Sequence, residues 1–140
     1  MTVFDCCQRN VVSVTPDTTV SFVTGLMKDK NIGCVVVTHK DRPVGIVTDR
    51  DIVVRRGTMH EDPDQITIES LMTRDVITIR GDRGIFEAIQ QMKTAGVRRM
   101  PVVDVRGHLV ALLTVDDIIR LIAREMADIA RIIGKESPTI

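Results

Sequence analysis

The sequence predicts an α/β fold in which two β-α-β-β-α repeats pack as a pseudo-two-fold pair. Three observations carry that prediction. Asn10–Asp17 recurs as Asp75–Asp82, 65 positions on, and self-similarity at a fixed period marks a repeat architecture. Within each copy, β-branched runs alternate with apolar residues spaced for a helix. Each copy also closes with an apolar strand that ends in Thr-x-x-Asp, at Thr48–Asp51 and again at Thr114–Asp117.

The elements follow in order. A preamble, Asp5–Arg9, stands opposite Ser70–Arg74 in the second copy. Extended stretches come next, Val11–Val14 and Val76–Ile79, each meeting a polar turn at Pro16-Asp17 or Gly81-Asp82. The spacing of Val20, Val23 and Met27 predicts a helix, as does that of Ile85, Ala88 or Ile89, and Met92. After Ile32 and Val97 the second copy carries one extra residue. From there Cys34–Val37 aligns with Met100–Val103, and Thr48 and Asp51 align with Thr114 and Asp117. Two β-branched runs per copy (Cys34–Thr38 and Val44–Thr48; Met100–Val103 and Leu109–Thr114) are joined by polar turns at His39–Arg42 and Asp104–His108, which predicts hairpins. A closing helix is expected from Ile52 and from Ile118.

Arg55–Thr67 has few apolar residues and is punctuated by Gly57 and Pro63, so it reads as a linker. The expected division is repeat one over 1–56, linker over 57–67, repeat two over 68–122, and a helical extension with tail over 123–140. The last helix, from Asp117 to about Ile133, carries a stripe of Ile118, Ile122, Met126, Ile129 and Ile133. Gly134 is expected to stop it, with Pro138 in the tail. The stripe has two readings, a cover for the protein's own core or a surface for a second copy or partner.

Composition narrows the function. The 140 residues are 44% hydrophobic with three Phe and no Trp or Tyr, so the interior is built from Val, Ile, Leu and Met. Nineteen basic and nineteen acidic residues balance, and no basic stripe or aromatic platform favours nucleic acid. Cys6, Cys7 and Cys34 form no disulfide framework or zinc pattern, and His39, His60 and His108 are scattered, so no metal site is expected. Cys6 and Cys7 align with Leu71 and Met72 and read more simply as packing residues than as a reactive pair. No apolar run approaches the roughly 18 residues of a membrane span, and no leader pattern opens the chain. The expectation is a reduced cytoplasmic protein. No histidine neighbours a candidate nucleophile and no cofactor motif appears, so catalysis is not expected.

Thr-x-x-Asp at a strand end is a capping box: the hydroxyl accepts from a first-turn amide, and the carboxylate reaches back to the cap amide. A second reading is that the unit also faces a ligand. A helix N-terminus favours phosphate, and a carboxylate accepts hydrogen bonds from ribose hydroxyls.

Two copies ending Gly/Ala-h-h-Thr-x-x-Asp-Ile, with Gly45–Ile52 and Gly96–Asp104 as the most recognisable segments, resemble a tandem cystathionine-β-synthase (CBS) domain pair, or Bateman module, over roughly residues 1–122. The resemblance implies a non-catalytic regulatory module. Such modules bind adenosine-containing ligands (AMP, ADP, ATP, or S-adenosylmethionine, with NADH also a candidate) in clefts between the repeats, and often form homodimers. With no effector domain evident, a stand-alone module would signal through its shape or a partner protein. It further implies that Thr48 with Asp51, and Thr114 with Asp117, contact phosphate and ribose. The base would lie against Ser13-Val14 and Cys34-Val35 in one copy, and against Thr78-Ile79 and Met100-Pro101 in the other. Arg98 and Arg99 hold the place of phosphate-binding side chains, and are expected in the cleft of Asp117; a solvated edge is their plainer reading. Copy one has Ile32-Gly33 at that place, which makes the clefts unequal. The alternative is an interaction protein whose Thr-x-x-Asp units only cap helices.

Overall fold

The structure is a computed structural model that describes residues 1–56 and 60–136. It is mixed α/β, with two sheets and four helices. Repeat one supplies β1 (Ser13–Val14), α1 (Val20–Lys30), β2 (Cys34–His39), β3 (Arg42–Thr48) and α2 (Asp49–Arg56). A short β4 (Thr73–Arg74) follows. Repeat two supplies β5 (Ile79–Arg80), α3 (Ile85–Ala95), β6 (Arg99–Val103), β7 (Leu109–Thr114) and α4 (Val115–Glu136). The sheets run β1-β2-β3-β4 and β5-β6-β7. In each, the first strand is parallel to the second, and the second and third form an antiparallel hairpin.

Local chemistry sets the boundaries. Thr19 caps α1 by accepting from the Phe22 amide at 3.2 Å. Asn31 and Gly96 end α1 and α3 in the left-handed conformation, which releases the chain into β2 and β6. The first hairpin turns through Lys40 and Asp41, both at positive φ, as a two-residue turn that matches strand twist requires. The closing helices start earlier than Ile52 and Ile118, at Asp49 and Val115. The threonine is the cap itself, so the helix begins at the next residue.

Each sheet buries alternate residues in its own apolar cluster. Val35, Val37 and Val47 join Val20, Val23 and Met27 in the first, while Met100, Val102 and Leu113 join Ile85, Ala88 and Met92 in the second. At 0–7% exposure these helix residues are core. α1 and α3 each spend one apolar stripe on their own sheet, while Phe22 of α1 and Phe86 of α3 stay exposed on the other side.

The preambles are exchanged. Val3, with no exposure, sits in the second repeat's cluster, whereas Ile66, Ile68, Leu71 and Met72 complete the first repeat's. Main-chain hydrogen bonds fasten both: Val3 N to Arg83 O at 2.8 Å and Phe4 N to Gly81 O at 3.0 Å on one side, Ile68 N to Thr18 O at 2.7 Å and Val20 N to Ile66 O at 2.9 Å on the other. The exchange continues into the sheets. β4 pairs antiparallel with β3, and Gln8 exchanges two 2.9 Å hydrogen bonds with Leu112 of β7.

Gly134 does not end α4, which continues to Glu136. Nothing lies within 4 Å of a side chain added there, and an exposed helical glycine costs only about 1 kcal/mol. Gly57, Pro138 and part of the linker lie outside the described residues.

Two glycines mark where the exchanged segments press closest. A Cβ at Gly45 would strike Met72, and one at Gly81 would overlap the Phe4 ring. Gly81→Val should therefore eject Phe4 and lower stability by about 1–3 kcal/mol. The midpoint of urea denaturation reads the change, and a midpoint equal to the wild type's would mean that Phe4 is not held there.

Candidate functional site

Both strand-to-helix joints form the capping box. At the first, the Thr48 amide donates to Asp51 Oδ2 at 2.9 Å, and the Asp51 amide donates to Thr48 Oγ1 at 3.2 Å. At the second the distances are 3.0 Å (Thr114 N to Asp117 Oδ2) and 3.1 Å (Asp117 N to Thr114 Oγ1). The first amide of each helix also donates across to the loop before the second strand, Asp49 N to Gly33 O and Val115 N to Arg98 O, both at 2.9 Å. Thus the chain entering β2 and β6 is tied to its helix start.

Three cavities open around these joints. The first, of about 370 Å³, is lined by Thr48 and Asp51 of repeat one, by Thr73–Ile77, and by Val97, Arg98 and Arg99 of repeat two. The second, of about 260 Å³, is lined by Asn10–Val12 and Ile32–Cys34 of repeat one, with Thr114, Asp116, Arg99 and Arg120 of repeat two. Between them lies a polar chamber of about 340 Å³, lined by Thr48, Asp49, Arg50, Arg98, Arg99, Thr114, Val115 and Asp116. Arg99 lines all three.

This arrangement crosses the expected one. Arg98 and Arg99 share a cleft with Thr48 and Asp51, not with Asp117. Asp117 does not line the second cleft; it sits beside Cys6, Arg120 and Arg124 in a separate hollow. The reason is the pseudo-two-fold: each cleft takes its capped threonine from one repeat and its wall from the other. The backbone walls are also shifted. Val14, Val35, Ile79, Met100 and Pro101 are buried. Neither they nor Ser13 and Thr78 line either cleft. The walls are instead the residues just before each strand, Asn10–Val12, Ile32-Gly33, Val76-Ile77 and Val97. Of the two expected base-contacting pairs in repeat one, only Cys34 reaches a cleft. The cleft walls belong to the loops that precede the expected residues, and the alternation of the strands turns the following residues inward.

The two acids differ in what remains open. Asp117 is 6% exposed, and its second oxygen, Oδ1, accepts from Gln8 Nε2 at 3.0 Å and lies 3.8 Å from Arg120. Asp51 is half-buried, and its Oδ1 has no hydrogen-bond partner among the described residues. One joint is closed on itself and the other retains an acceptor in a cleft. The sequence held that signal in the preamble, because Gln8 aligns with Thr73, whose side chain is too short for the same reach. In α2 the Asp49, Arg50 and Asp51 amides are all bonded internally, so cations offered to an anion in the first cleft come from side chains: Arg98, Arg99 and Arg74, the last of which also pairs with Glu69 at 3.4 Å.

No nucleophile is set up here. Burial pushes the Cys34 thiol up to about 11, against a weaker opposing pull from the Arg99 guanidinium. Burial likewise raises Cys6 to about 11, with the Asp117 carboxylate adding to it, and raises Cys7. Among the described residues no three His, Cys, Asp or Glu side chains gather as a metal site, and no helix is long and apolar enough to cross a membrane.

The family model for the CBS domain matches residues 3–56 and 68–124. The chain is 33% identical over 122 residues to an uncharacterized protein of Methanopyrus kandleri, covering 86% of this chain and 62% of that protein. It is 37% identical over 112 residues to inosine-5′-monophosphate dehydrogenase of Thermoplasma acidophilum, covering 79% of this chain but 21% of the enzyme. It therefore spans less than two thirds of either relative's own length. Among solved structures, a CBS domain pair in complex with 5′-methylthioadenosine and S-adenosyl-L-methionine superposes with a TM-score of 0.77 at 25% identity, covering 89% of this chain and 98% of that one.

The raised thiol makes a pH prediction. From an ordinary value of 9.0, a shift to about 11 leaves on the order of a hundredfold fewer Cys34 thiolates than free cysteine at pH 8. Iodoacetamide labelling of Cys34 should be slow at that pH and keep rising beyond pH 10. The stabilising contribution of the buried neutral thiol is full below pH 9 and declines between 9 and 11. Labelling that levels off near pH 9 would contradict the burial.

Proposed function

The chain belongs to the CBS domain family, and we propose that it is a regulatory module that binds an adenosine-containing ligand between its repeats and performs no chemistry itself. One observation carries the reading. The first cleft brings together a capped Thr48, an Asp51 carboxylate with one oxygen open, and two arginines from the opposite repeat. A carboxylate oxygen accepts ribose hydroxyls, and guanidinium groups hold phosphate by paired hydrogen bonds. The apolar wall from Val76, Ile77 and Val97 suits the face of a base.

The candidates are AMP, ADP and ATP, with S-adenosylmethionine and NADH behind them. A relative that holds 5′-methylthioadenosine and S-adenosyl-L-methionine supports the adenosine portion of this reading. The arginines favour the phosphorylated members. Arg98 and Arg99 join β6 to the cleft, so a bound phosphate would draw the repeats together, and that change of shape or a partner protein would carry the signal. Three free thiols fit the proposed cytoplasmic setting.

Two substitutions test the site. Asp51→Ala should weaken an adenine nucleotide tenfold or more, since a charge-assisted hydrogen bond contributes about 1.5–3 kcal/mol. Asp117→Ala should cost fold stability instead, because its carboxylate is already engaged. Titration calorimetry on folded protein decides, and unchanged affinity in Asp51→Ala would sink the assignment. Charge is tested separately. Replacing Arg98 and Arg99 with alanine should weaken ATP and AMP far more than adenosine, and should leave S-adenosylmethionine unaffected or tighter because its sulfonium is cationic. Equal losses for nucleotide and nucleoside would give the arginines a structural role only.

A further inference from the structure

The two joints are equivalent in register, and one neighbour makes them unequal. Thr73 of β4 pairs with Ile46 of β3, and Gln8 pairs with Leu112 of β7. Ile46 and Leu112 each stand two residues before the capping threonine, so Thr73 and Gln8 hold the same place beside their joints. Their side chains do opposite things there. Thr73 and Asp51 line the first cleft together, and Oδ1 of Asp51 has no hydrogen-bond partner among the described residues. Gln8 lines the second cleft, but the carboxylate it binds does not. Gln8 Nε2 donates to Asp117 Oδ1 at 3.0 Å. One hydrogen bond does not exhaust the capacity of a carboxylate oxygen, but access does, and Asp117 is only 6% exposed. Arg120 stands 3.8 Å from the same oxygen, beyond hydrogen-bond reach. Gln8 is therefore the group that holds it.

We propose that Gln8 is the specificity-determining residue of the second cleft: its amide takes the place of a ribose hydroxyl and shuts that cleft to nucleosides. The proposal rests on the reading of the first cleft as an adenosine site. An amide N–H and a ribose O–H are alternative donors to one carboxylate oxygen, so the side chain is an internal substitute for the ligand. The chain then holds one adenosine ligand, in the cleft of Asp51. The remainder of the second cleft matches the first. Thr114 lines it, Arg99 and Arg120 supply cations, and Val11, Val12 and Ile32 form an apolar wall. A covered acceptor beside an otherwise complete cleft is a removable block. The two 2.9 Å bonds between Gln8 and Leu112 are main-chain bonds, so the preamble stays seated when the side chain is shortened.

The test counts AMP sites by titration calorimetry on the full chain, for wild type, Gln8→Thr, Asp51→Ala and the double variant. Wild type should take one AMP per chain. Gln8→Thr installs the residue that repeat one carries at this place, and should take two. The gain reflects a charge-assisted hydrogen bond from ribose, which tightens the second cleft about tenfold or more. Asp51→Ala should lose its site, and the double variant should recover one. The recovered site should not bind 2′,3′-dideoxyadenosine monophosphate, which has no ribose hydroxyl at those positions to offer. Gln8→Ala clears the same space and should give the same count as Gln8→Thr. Two sites in wild type overturn the proposal, as does a single site in wild type and in both Gln8 variants; either result leaves the reading of the first cleft standing. No site in any of these proteins overturns both. One site in Gln8→Thr and none in wild type would uphold the block and move the adenosine reading to the second cleft.

Discussion

Each hydrophobic core of this protein is closed by chain from the other repeat, and the rest of the structure depends on that exchange. A repeat of this size buries a small enough fraction of its surface to be only marginally stable on its own. Here neither has to stand alone. Val3 fills the second core, while Ile66, Ile68, Leu71 and Met72 fill the first. Separating the repeats would open both interiors at once, so the interface is as strong as the cores. That rigidity lets polar clefts persist between the halves, with capped threonines on one wall and arginines on the other. The close approaches at Gly45 and Gly81 are the local cost, since only a missing Cβ lets the crossing segments seat.

Much of this was legible in the sequence. The repeat and its offset were plain, the hairpin strands and first helices fell where alternation and spacing put them, and the two Thr-x-x-Asp joints are the boxes that their spacing requires, whereas the extended stretches expected at Val11–Val14 and Val76–Ile79 are strands only at Ser13–Val14 and Ile79–Arg80. The exchange was not legible, because pairing the preambles by alignment says that they are equivalent and nothing about which core each enters. The same blindness misassigned Asp117. A linear alignment places it beside Arg98 and Arg99, within the same copy, and only the pseudo-two-fold shows that partners come from opposite copies. Strand-flanking residues such as Val12, Val76 and Val97 were passed over because their apolar character resembles that of the core residues beside them.

The duplication has also diverged where it counts. Both joints keep the same two hydrogen bonds, but Gln8 and Arg120 engage the remaining oxygen of Asp117. Asp51 keeps its own. Identical motifs thus hold different residual chemistry, and the difference arises from neighbours that the motif does not include. Arg99 bears on both clefts and on the chamber between them, so the two halves of the site share one cation although their acids are separate.

The exchanged N-terminus has a consequence for how the molecule is made. Val3 and Phe4 leave the ribosome before any residue of the core they will enter, whose partners run from Ile79 to Leu121. The first core can close once Met72 has emerged, but the opening segment must wait, solvated, until nearly the whole of repeat two has been synthesised. Contacts of such sequence separation form late and slow the final step of folding. The Arg9 guanidinium, resting 4.3 Å from the centre of the Phe4 ring, is close enough in sequence to shield that ring while the opening segment is still free.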